Sequence, residues 1–500
     1  MTDTKQSSLT SRVRAGAIWS VASLILTRGL AISRSVALAR LLAPDDFGLF
    51  GMALTLLTAM SALTNIGLDT SIIATRFSSD EELSKHLDTI WTTELVRKLL
   101  LSLLLLLAVY PSVRFYGEPK LYAILPLISI TPFIQGLENI GLVIYRKKIN
   151  LSRIVWFEQI TGIFGVCLAV VFALYTHNVW ALVLSQLFSS IFSVVLSYVI
   201  HPYRPKFAFD VDAFRRAFTF GKYMFVIGIT AYITLTADNV IVGRLFGAAV
   251  LGIYAIGYNI GSLPIGIISS VFTSVTLPAY VELQAHAVTR LENAFTRVYA
   301  IGVALLTIMT VPMMLLGNEA IIVLYGPRWA AAGPILRIIG LVGFCRGHLP
   351  ILSPLITSVV GLSAQAKAKT LEAVVFLCAL FPLTIYYGIK GAAWAGVIAY
   401  VLTVFNRFWL VRAIIPSAFA RLMRCFLNAL IAGAAGYAVG LAAINSVDGG
   451  LPRLAIGGMT SVTTIVVMLL LLMPSLRSES FALLGSFNLW TRKPIALVDK

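Results

Sequence analysis

The sequence is built from apolar runs whose length matches the thickness of a lipid bilayer, which an α-helix of about 20 residues can cross. Because the hydrocarbon offers backbone groups no hydrogen-bond partner, such runs must be helical where they span it. We delimit fourteen of them, at residues 15–41, 47–68, 90–111, 121–145, 154–175, 179–200, 221–245, 249–279, 295–316, 331–360, 369–388, 391–414, 420–445 and 453–474. The pattern predicts an all-α polytopic membrane protein with about 14 transmembrane helices.

Composition agrees with a membrane location. Hydrophobic residues make up 58% of the chain and charged residues only 12%, against about 25% charged residues in soluble domains. This balance excludes a cytosolic enzyme, a secreted domain and a disordered scaffold. The formal net charge of +17 comes from 39 basic residues spread along the apolar chain. Such spreading is typical of positive charge retained in cytoplasmic loops, so we expect no nucleic-acid partner.

Basic residues are distributed unequally between the two sides of the predicted bundle. Of the 39, 25 fall in segments on the side of the N-terminus, 7 in the opposite segments and 7 within the spans. Cytoplasmic loops carry the excess of Lys and Arg in membrane proteins. We therefore expect both termini to be cytoplasmic.

The connecting segments leave no room for a soluble catalytic domain, since none exceeds about two dozen residues. The chain contains no Walker A, G-x-G-x-x-G or H-E-x-x-H motif of the kinds that bind nucleotides or catalytic zinc. Cys167, Cys345, Cys378 and Cys425 form no C-x-x-C pair, and we interpret them as packing residues. We predict no enzymatic activity, no cofactor and no metal site.

One internal repeat is visible at an offset of 204 residues. Arg40-Leu41 precedes Gly48-Leu49-Phe50 with the same spacing as Arg244-Leu245 precedes Gly252-Ile253-Tyr254. The alternative is coincidence, because Gly and Leu are abundant here. Since six helices restore the starting side, the repeat predicts two parallel six-helix lobes around a central cavity. The predicted divisions are a cytoplasmic N-terminus (1–14), an N-lobe (15–200), an inter-lobe linker (201–220), a C-lobe (221–414), helices 13 and 14 (415–475) and a cytoplasmic tail (476–500).

Arginines inside the first span are candidate substrate ligands. Arg28, Arg34 and Arg40 are six residues apart, which is about 9 Å of depth per step along a helix. A charge at the bilayer centre costs at least about 2.5–3.5 kcal/mol, so it usually faces a cavity or a partner. A guanidinium binds phosphate bidentately and never deprotonates. The three arginines therefore suit an anionic phosphate or pyrophosphate headgroup, unless each is paired with an acid as a structural contact.

Acidic residues within the spans are the possible partners. Asp238 occupies the repeat position of Arg34, so it either pairs with an arginine across the cleft or binds a coupling cation. Glu94 and Glu158 are further candidates for a charge pair or a coupling-ion site.

Three more ionisable residues lie in the second half of the chain. Arg346, with His348 beside it, is a candidate for adding positive charge to the cavity from the second lobe, although a paired or snorkelling arginine is an equal alternative. Arg407 lies among bulky apolar residues, and we expect it to snorkel towards the cytoplasm.

Small residues and a proline in the eighth span suggest a hinge. Gly257 and Gly261 form a G-x-x-x-G pair, and Pro264 and Gly266 follow. A proline bends a helix, which would suit alternating access. The alternative is close helix packing at the two glycines.

Several segments resemble one known family. They are residues 16–20, 28–41, 47–48, 65–68, 144–148, 238–254 and 325–329, the last reading YGPRW. They are similar to the multidrug/oligosaccharidyl-lipid/polysaccharide exporter superfamily, and within it to Wzx-like polysaccharide transporters of the colanic-acid and teichuronic-acid type.

The resemblance implies a flippase that moves undecaprenyl-pyrophosphate-linked oligosaccharide repeat units across the bacterial inner membrane for exopolysaccharide, capsule or lipopolysaccharide biosynthesis. Its implied partners are that lipid-linked oligosaccharide, membrane lipids, and a polymerase and chain-length regulator of the same pathway. Arg28 and Arg34 match the arginines of the family's first helix. Ser35 stands where lipid II flippases carry an acid, so the resemblance does not carry over their coupling mechanism.

Two other functions compete with this one. A cation/drug antiporter of the same fold would need an acid-lined cavity, and arginines in the first span would repel its substrates. A polymerase or ligase of the same pathway would need a sizeable outer loop for sugar chemistry, and the sequence has none.

Overall fold

A computed structural model describes residues 26–64, 79–147, 150–269, 288–447 and 449–473, with a few single positions between them. Every regular element in these ranges is helical. In chain order the α-helices are α1 (26–41), α2 (Pro44–Thr64), α3 (Asp80–Leu107), α4 (Val109–Tyr116), α5 (Leu121–Gly136), α6 (Leu142–Lys147), α7 (Leu151–Thr176), α8 (Trp180–Ile200), α9 (Val211–Gly261), α10 (263–269), α11 (Val288–Tyr325), α12 (Ala332–Gly347), α13 (Leu349–Val359), α14 (Leu362–Ile414), α15 (Pro416–Asn445) and α16 (Gly450–Leu472).

The predicted class, an all-α multi-pass membrane protein, is confirmed. In the described ranges nine helices are long and apolar enough to cross a membrane, and a tenth span results if α3 and α4, bent by 47°, count as one. Two of the long helices contain a glycine in left-handed conformation, Gly247 in α9 and Gly388 in α14. Each of these helices therefore holds two of the predicted spans. The total of 14 spans stays a prediction.

Some helices extend beyond the predicted spans or break within them. The helix that holds the third predicted span begins at Asp80, ten residues before that span, because the Ser79 hydroxyl accepts a hydrogen bond from the backbone N–H of Glu82 and caps the helix. The tenth predicted span, 331–360, agrees with the apolar segment Ala332–Val359, and its helix is interrupted at His348, between α12 and α13. Of the predicted linker, residues 201–210 are extended and α9 begins at Val211.

The first helix runs beside α7 in the same direction. At one end the side chain of Gln159 donates a hydrogen bond to Thr27 at 2.8 Å, and at the other Leu42 and Ala173 share one fully buried cluster. Because the two helices are parallel, a residue of α1 lies at about the same depth as the residues of α7 that it contacts.

The repeated glycines pack against each other's helices. A Cβ atom added at Gly48 would collide with the backbone of Ala248, and one added at Gly252 would collide with the backbone of Pro44. Because 44 and 248 are also related by the offset of 204, the two contacts are equivalent under the repeat. Only glycine permits so close an approach of backbones, which explains why both copies of the motif carry it.

The chain divides into two compact units whose boundaries differ from those of the predicted lobes. One holds the residues up to Ile260 together with Leu324–Ala332 and Lys369–Ala399, and the other holds the remainder. The predicted division into six-helix lobes stays a prediction.

We expect Gly48→Leu and Gly252→Leu to lower stability by at least about 1–3 kcal/mol, the usual effect of overpacking, because a side chain at either position meets backbone that cannot move aside. Thermal unfolding of the detergent-purified variants measures this. Gly29→Ala is the matched control, since nothing lies within 4 Å of its Cβ position. Unchanged stability in both leucine variants would show that the contact is not formed.

Candidate functional site

Arg34 lies on α1 in a partly buried position. Its Nη2 donates to the hydroxyl of Ser185 at 3.5 Å, in the second turn of α8. Within the described ranges Arg34 forms no ion pair. A guanidinium carries five N–H donors, so one weak contact with a serine leaves most of its binding capacity for a ligand.

The other two arginines of the first span differ from Arg34 in their surroundings. Arg28 is partly buried, and the described residues give it neither a hydrogen bond nor an ion pair. Arg40 is exposed, and its Nε donates to the backbone oxygen of Leu324 at 3.1 Å, in the last turn of α11. A cation at that position stabilises the carboxyl end of a helix. The structure therefore gives Arg40 a structural contact in addition to its predicted place in the cavity.

The C-terminal half of α1 is held by two residues that the sequence did not indicate as its partners. The indole of Trp329 donates to the backbone oxygen of Ala39 at 2.8 Å, and the hydroxyl of Tyr325 donates to Ser35 at 3.1 Å. Tyr325 and Trp329 both belong to the YGPRW segment. The sequence singled out the YGPRW segment itself. It did not indicate the partners of Tyr325 and Trp329, which lie 290 residues away.

Asp238 is buried in α9, with 2% of its surface exposed. Its carboxylate accepts a hydrogen bond from the hydroxyl of Tyr254 at 2.7 Å and one from the backbone N–H of Asn239 at 2.9 Å. Tyr254 is therefore a partner that the sequence did not indicate. The expected pairing with Arg34, or with a coupling cation, stays a prediction.

Glu94 and Glu158 both contact arginines outside the first span. Glu94 forms a bidentate pair with Arg97, with a shortest N–O distance of 2.6 Å and side chains only 13% and 17% exposed. Arg97 also donates to Thr64 at 3.1 Å, which joins α3 to α2. Glu158 lies 3.4 Å from Arg146 in an exposed pair. The first pair therefore belongs to the packed interior and the second to the surface.

A cavity of about 240 Å³ adjoins the break between α5 and α6. Its lining comprises Trp91, Glu94, Lys98, Gln135, Gly136, Glu138, Asn139, Ile140, Leu142, Val143, Arg146, Ile154 and Phe157. Lys98 donates to the backbone oxygen of Gln135 at 3.1 Å, and Trp91 donates to that of Glu138 at 3.2 Å. These two side chains satisfy backbone oxygens near the break between the helices, where the helical hydrogen-bond pattern is interrupted.

The extended linker is bound to α3. The Tyr203 hydroxyl donates to Asp88 at 2.6 Å, and the backbone N–H of Lys206 donates to the same carboxylate at 2.9 Å. Burial raises the pKa of Tyr203 above its ordinary value, so its hydroxyl stays a donor at neutral pH. Residues 201–210 therefore form a fixed strap, where the sequence predicted only a connection.

Two predictions for the second half of the chain are wrong. His348 is fully buried among the rings of Phe344, Phe426 and Tyr299, so it lends no charge to an open cavity. Arg407 does not snorkel to the surface. It is fully buried and donates to Ser353 at 2.5 Å and to Gln365 at 2.7 Å, because these oxygens solvate the guanidinium inside the protein.

Arg346 and the predicted hinge also lie in this half of the chain. The Arg346 guanidinium lies 5.3 Å from the ring centre of Tyr400, a cation–π contact. A Cβ atom at Gly261 would meet Ile339, which favours close packing there. Helix α9 ends at Gly261, and Pro264 and Gly266 lie in α10. The break thus falls between Gly257 and Pro264, and a hinge at this point stays a prediction.

Comparison with known proteins adds the family. A family model described as "Polysaccharide biosynthesis protein" matches residues 37–334. The succinoglycan biosynthesis transport protein ExoT of Rhizobium meliloti is 26% identical over 76% of this chain and 73% of its own length. The lipopolysaccharide biosynthesis protein WzxC of Escherichia coli is 22% identical over 82% of this chain and 83% of its own length.

Two kinds of solved structure share the fold. The lipid II flippase MurJ in an inward closed conformation matches with a TM-score of 0.72 and 14% identity, over 90% of this chain and 98% of its own. An inward-facing multidrug resistance MATE family transporter of the MOP superfamily matches with a TM-score of 0.62 and 15% identity, over 81% of this chain and 99% of its own. The resemblance predicted from sequence is confirmed, and the fold is that of this superfamily.

We expect Arg97→Gln to destabilise the protein by about 3 kcal/mol, because it leaves Glu94 charged and unpaired in the interior. The double change Glu94→Gln with Arg97→Gln should recover most of the loss. Thermal unfolding of purified protein measures both. Lys85→Gln, which breaks the exposed Lys85–Glu81 pair, is the control and should change nothing measurable. A double variant no more stable than Arg97→Gln would contradict the pairing.

Proposed function

The chain belongs to the polysaccharide biosynthesis protein family, and on this premise we propose that it is a flippase for undecaprenyl-pyrophosphate-linked oligosaccharide repeat units. The relatives named as succinoglycan transport and lipopolysaccharide biosynthesis proteins support a substrate of this class. So does the fold shared with a lipid II flippase. The polymer that the repeat unit builds is an exopolysaccharide, a capsule or a lipopolysaccharide.

The observation that carries the proposal is the environment of Arg34. It is a permanent cation within an apolar helix, and its described contact is a neutral serine at 3.5 Å. Holding an uncompensated charge there is costly, and the cost is offset when an anion arrives. A pyrophosphate fits, because its oxygens accept both N–H groups of the guanidinium fork. Arg28, six residues earlier on α1, would bind the same headgroup at another depth.

Transport by alternating access follows from this placement. The headgroup would replace its hydrogen bonds to water by hydrogen bonds to the arginines. The cavity would open to one side of the membrane at a time. We infer a bacterial inner-membrane location with both termini cytoplasmic, from the 25 to 7 bias of basic residues. A polymerase and a chain-length regulator would use the product on the outer side.

A cation/drug antiporter is the second candidate, because a multidrug resistance transporter shares the fold. Its TM-score is lower than that of the lipid II flippase. The arginines of α1 also disfavour it, since they would repel a cationic drug. A drug-efflux assay in a sensitive host decides between the two functions, and efflux dependent on this protein would favour the antiporter.

Deletion of the gene should trap lipid-linked repeat units on the cytoplasmic face, because assembly of the unit on that face does not depend on the transporter. We expect surface polymer to fall while extractable lipid-linked precursor accumulates. Polymer staining and mass analysis of the lipid extract measure the two quantities. Normal surface polymer in a strain without a redundant flippase would refute the proposed function.

Arg34→Ala should abolish or strongly reduce transport while the protein remains at its normal membrane level. Arg34→Lys keeps the charge but loses the bidentate fork, so it should rescue transport only in part. Surface polymer, normalised to membrane protein level, measures this.

A purely structural role of Arg34 would give different results in these variants. If Arg34 serves only to pair with Asp238, then Arg34→Ala should lower the protein level, and Arg34→Ala with Asp238→Ala should restore both level and transport. Full activity in well-expressed Arg34→Ala would remove this residue from the mechanism.

A further inference from the structure

Three exposed arginines surround the junction of α6, α7 and the strap, away from the first span. We call Arg146, Arg153 and Arg204 the inner arginine cluster. In the orientation inferred above, Arg146 and Arg153 lie at the cytoplasmic ends of α6 and α7, and Arg204 lies in the strap beside them. They are distinct from the predicted substrate arginines of α1 and from the buried arginines of the protein interior.

Aromatic side chains hold two members of the cluster in place. Arg153 donates to the hydroxyl of Tyr145 at 2.8 Å and lies over its ring, 5.2 Å from the centre. Arg204 lies over the ring of Tyr198, 5.5 Å from its centre, and donates to the backbone oxygen of His201 at 2.9 Å. The rings of Tyr145 and His201 are 4.9 Å apart, so they connect the two arginines. A guanidinium fixed on a ring loses less conformational entropy when it binds a ligand.

The cluster has two properties of an anion-binding site, namely positive charge and unused hydrogen-bond donors. Two acids lie nearby: Glu158, 3.4 Å from Arg146, and Asp88, which accepts hydrogen bonds from Tyr203 and from the backbone of Lys206. Lys147 is a further basic residue, but its ammonium donates to the backbone oxygen of Ile72. The contacts described for Arg153 and Arg204 use only one nitrogen of each guanidinium. Most of their N–H groups are therefore available to an incoming phosphate.

Helix α7 connects the cluster to the first span. Arg153 precedes Gln159 by six residues, or about 9 Å along the helix, and Gln159 donates to Thr27, the neighbour of Arg28. Because α1 and α7 run in the same direction, Arg34 lies about 9 Å further along α1 than Arg28, on a different face of the helix. Cations thus follow one another in similar steps from the inner surface to mid-membrane.

We propose that the inner arginine cluster is the docking site that captures the pyrophosphate headgroup of the lipid-linked substrate from the inner leaflet, before it passes to Arg28 and Arg34. This rests on the proposed flippase function. A pyrophosphate fits better than an ordinary phospholipid, because two linked phosphates can engage two or more guanidinium forks at once. A phospholipid headgroup with one phosphodiester offers fewer acceptor oxygens and less negative charge to the same arginines.

The test separates capture from transport. Wild-type protein and the double variant Arg153→Gln with Arg204→Gln are reconstituted in phosphatidylcholine vesicles, with lipid-linked repeat units extracted from a deletion strain. We expect the double variant to raise the apparent KM at least tenfold while the maximal rate stays within twofold. Arg34→Ala should instead lose the maximal rate. Arg412→Gln is the matched control, since Arg412 is also exposed and lies 5.6 Å from the ring centre of Phe419.

Two further measurements are needed. One distinguishes a pyrophosphate site from a site for any anionic lipid, and the other tests binding separately from transport. Adding phosphatidylglycerol tests for a general anionic-lipid site, and a defect seen only in its presence would overturn the proposal. Binding of undecaprenyl pyrophosphate to detergent-purified protein is measured in parallel. If wild-type protein transports nothing, the flippase function fails, and a tenfold weaker binding in the double variant would still support the docking site. Unchanged KM together with unchanged binding would overturn it.

Discussion

The inability of a bilayer to solvate charge governs this structure, because every ionisable group placed at membrane depth must find its solvation within the protein. Arg97 finds it in a bidentate carboxylate, Lys98 in a backbone oxygen and Arg407 in a hydroxyl and an amide. Arg34 has only a serine at 3.5 Å in the part of the chain described. Arg28, which the described residues give neither a hydrogen bond nor an ion pair, belongs with Arg34 on this ground. The contrast therefore separates these two arginines of α1 from the other cations, since a ligand gains most where the protein has supplied least.

The same constraint shapes the helix breaks. Where α5 stops short of α6, the freed backbone oxygens are taken by Lys98 and Trp91, and the side chain of Asn139 donates to the strap. Polar side chains and irregular backbone therefore satisfy each other around one cavity. The strap is thereby fixed to the bundle, and it carries Arg204 of the inner arginine cluster in a defined position.

The two copies of the repeat share backbone packing but not charge. Gly48 and Gly252 make equivalent contacts, which shows that the repeat preserves the close approach of the two hairpins. Asp238, by contrast, stands at the position of Arg34 and accepts a hydrogen bond from Tyr254.

The sequence by itself determined the all-helical membrane class, the family and the glycine repeat, because hydropathy, residue spacing and motif identity are properties of the chain that need no knowledge of its neighbours. It also identified the arginines of α1 as unusual. Only the tertiary structure decided which charges are compensated between helices: that Arg97 donates to Thr64 of α2, that Arg407 is solvated internally and that His348 is enclosed by aromatic rings. These outcomes depend on which helix faces meet, and residues such as Tyr325 and Ser35, 290 positions apart, share no signal along the sequence that could reveal their contact.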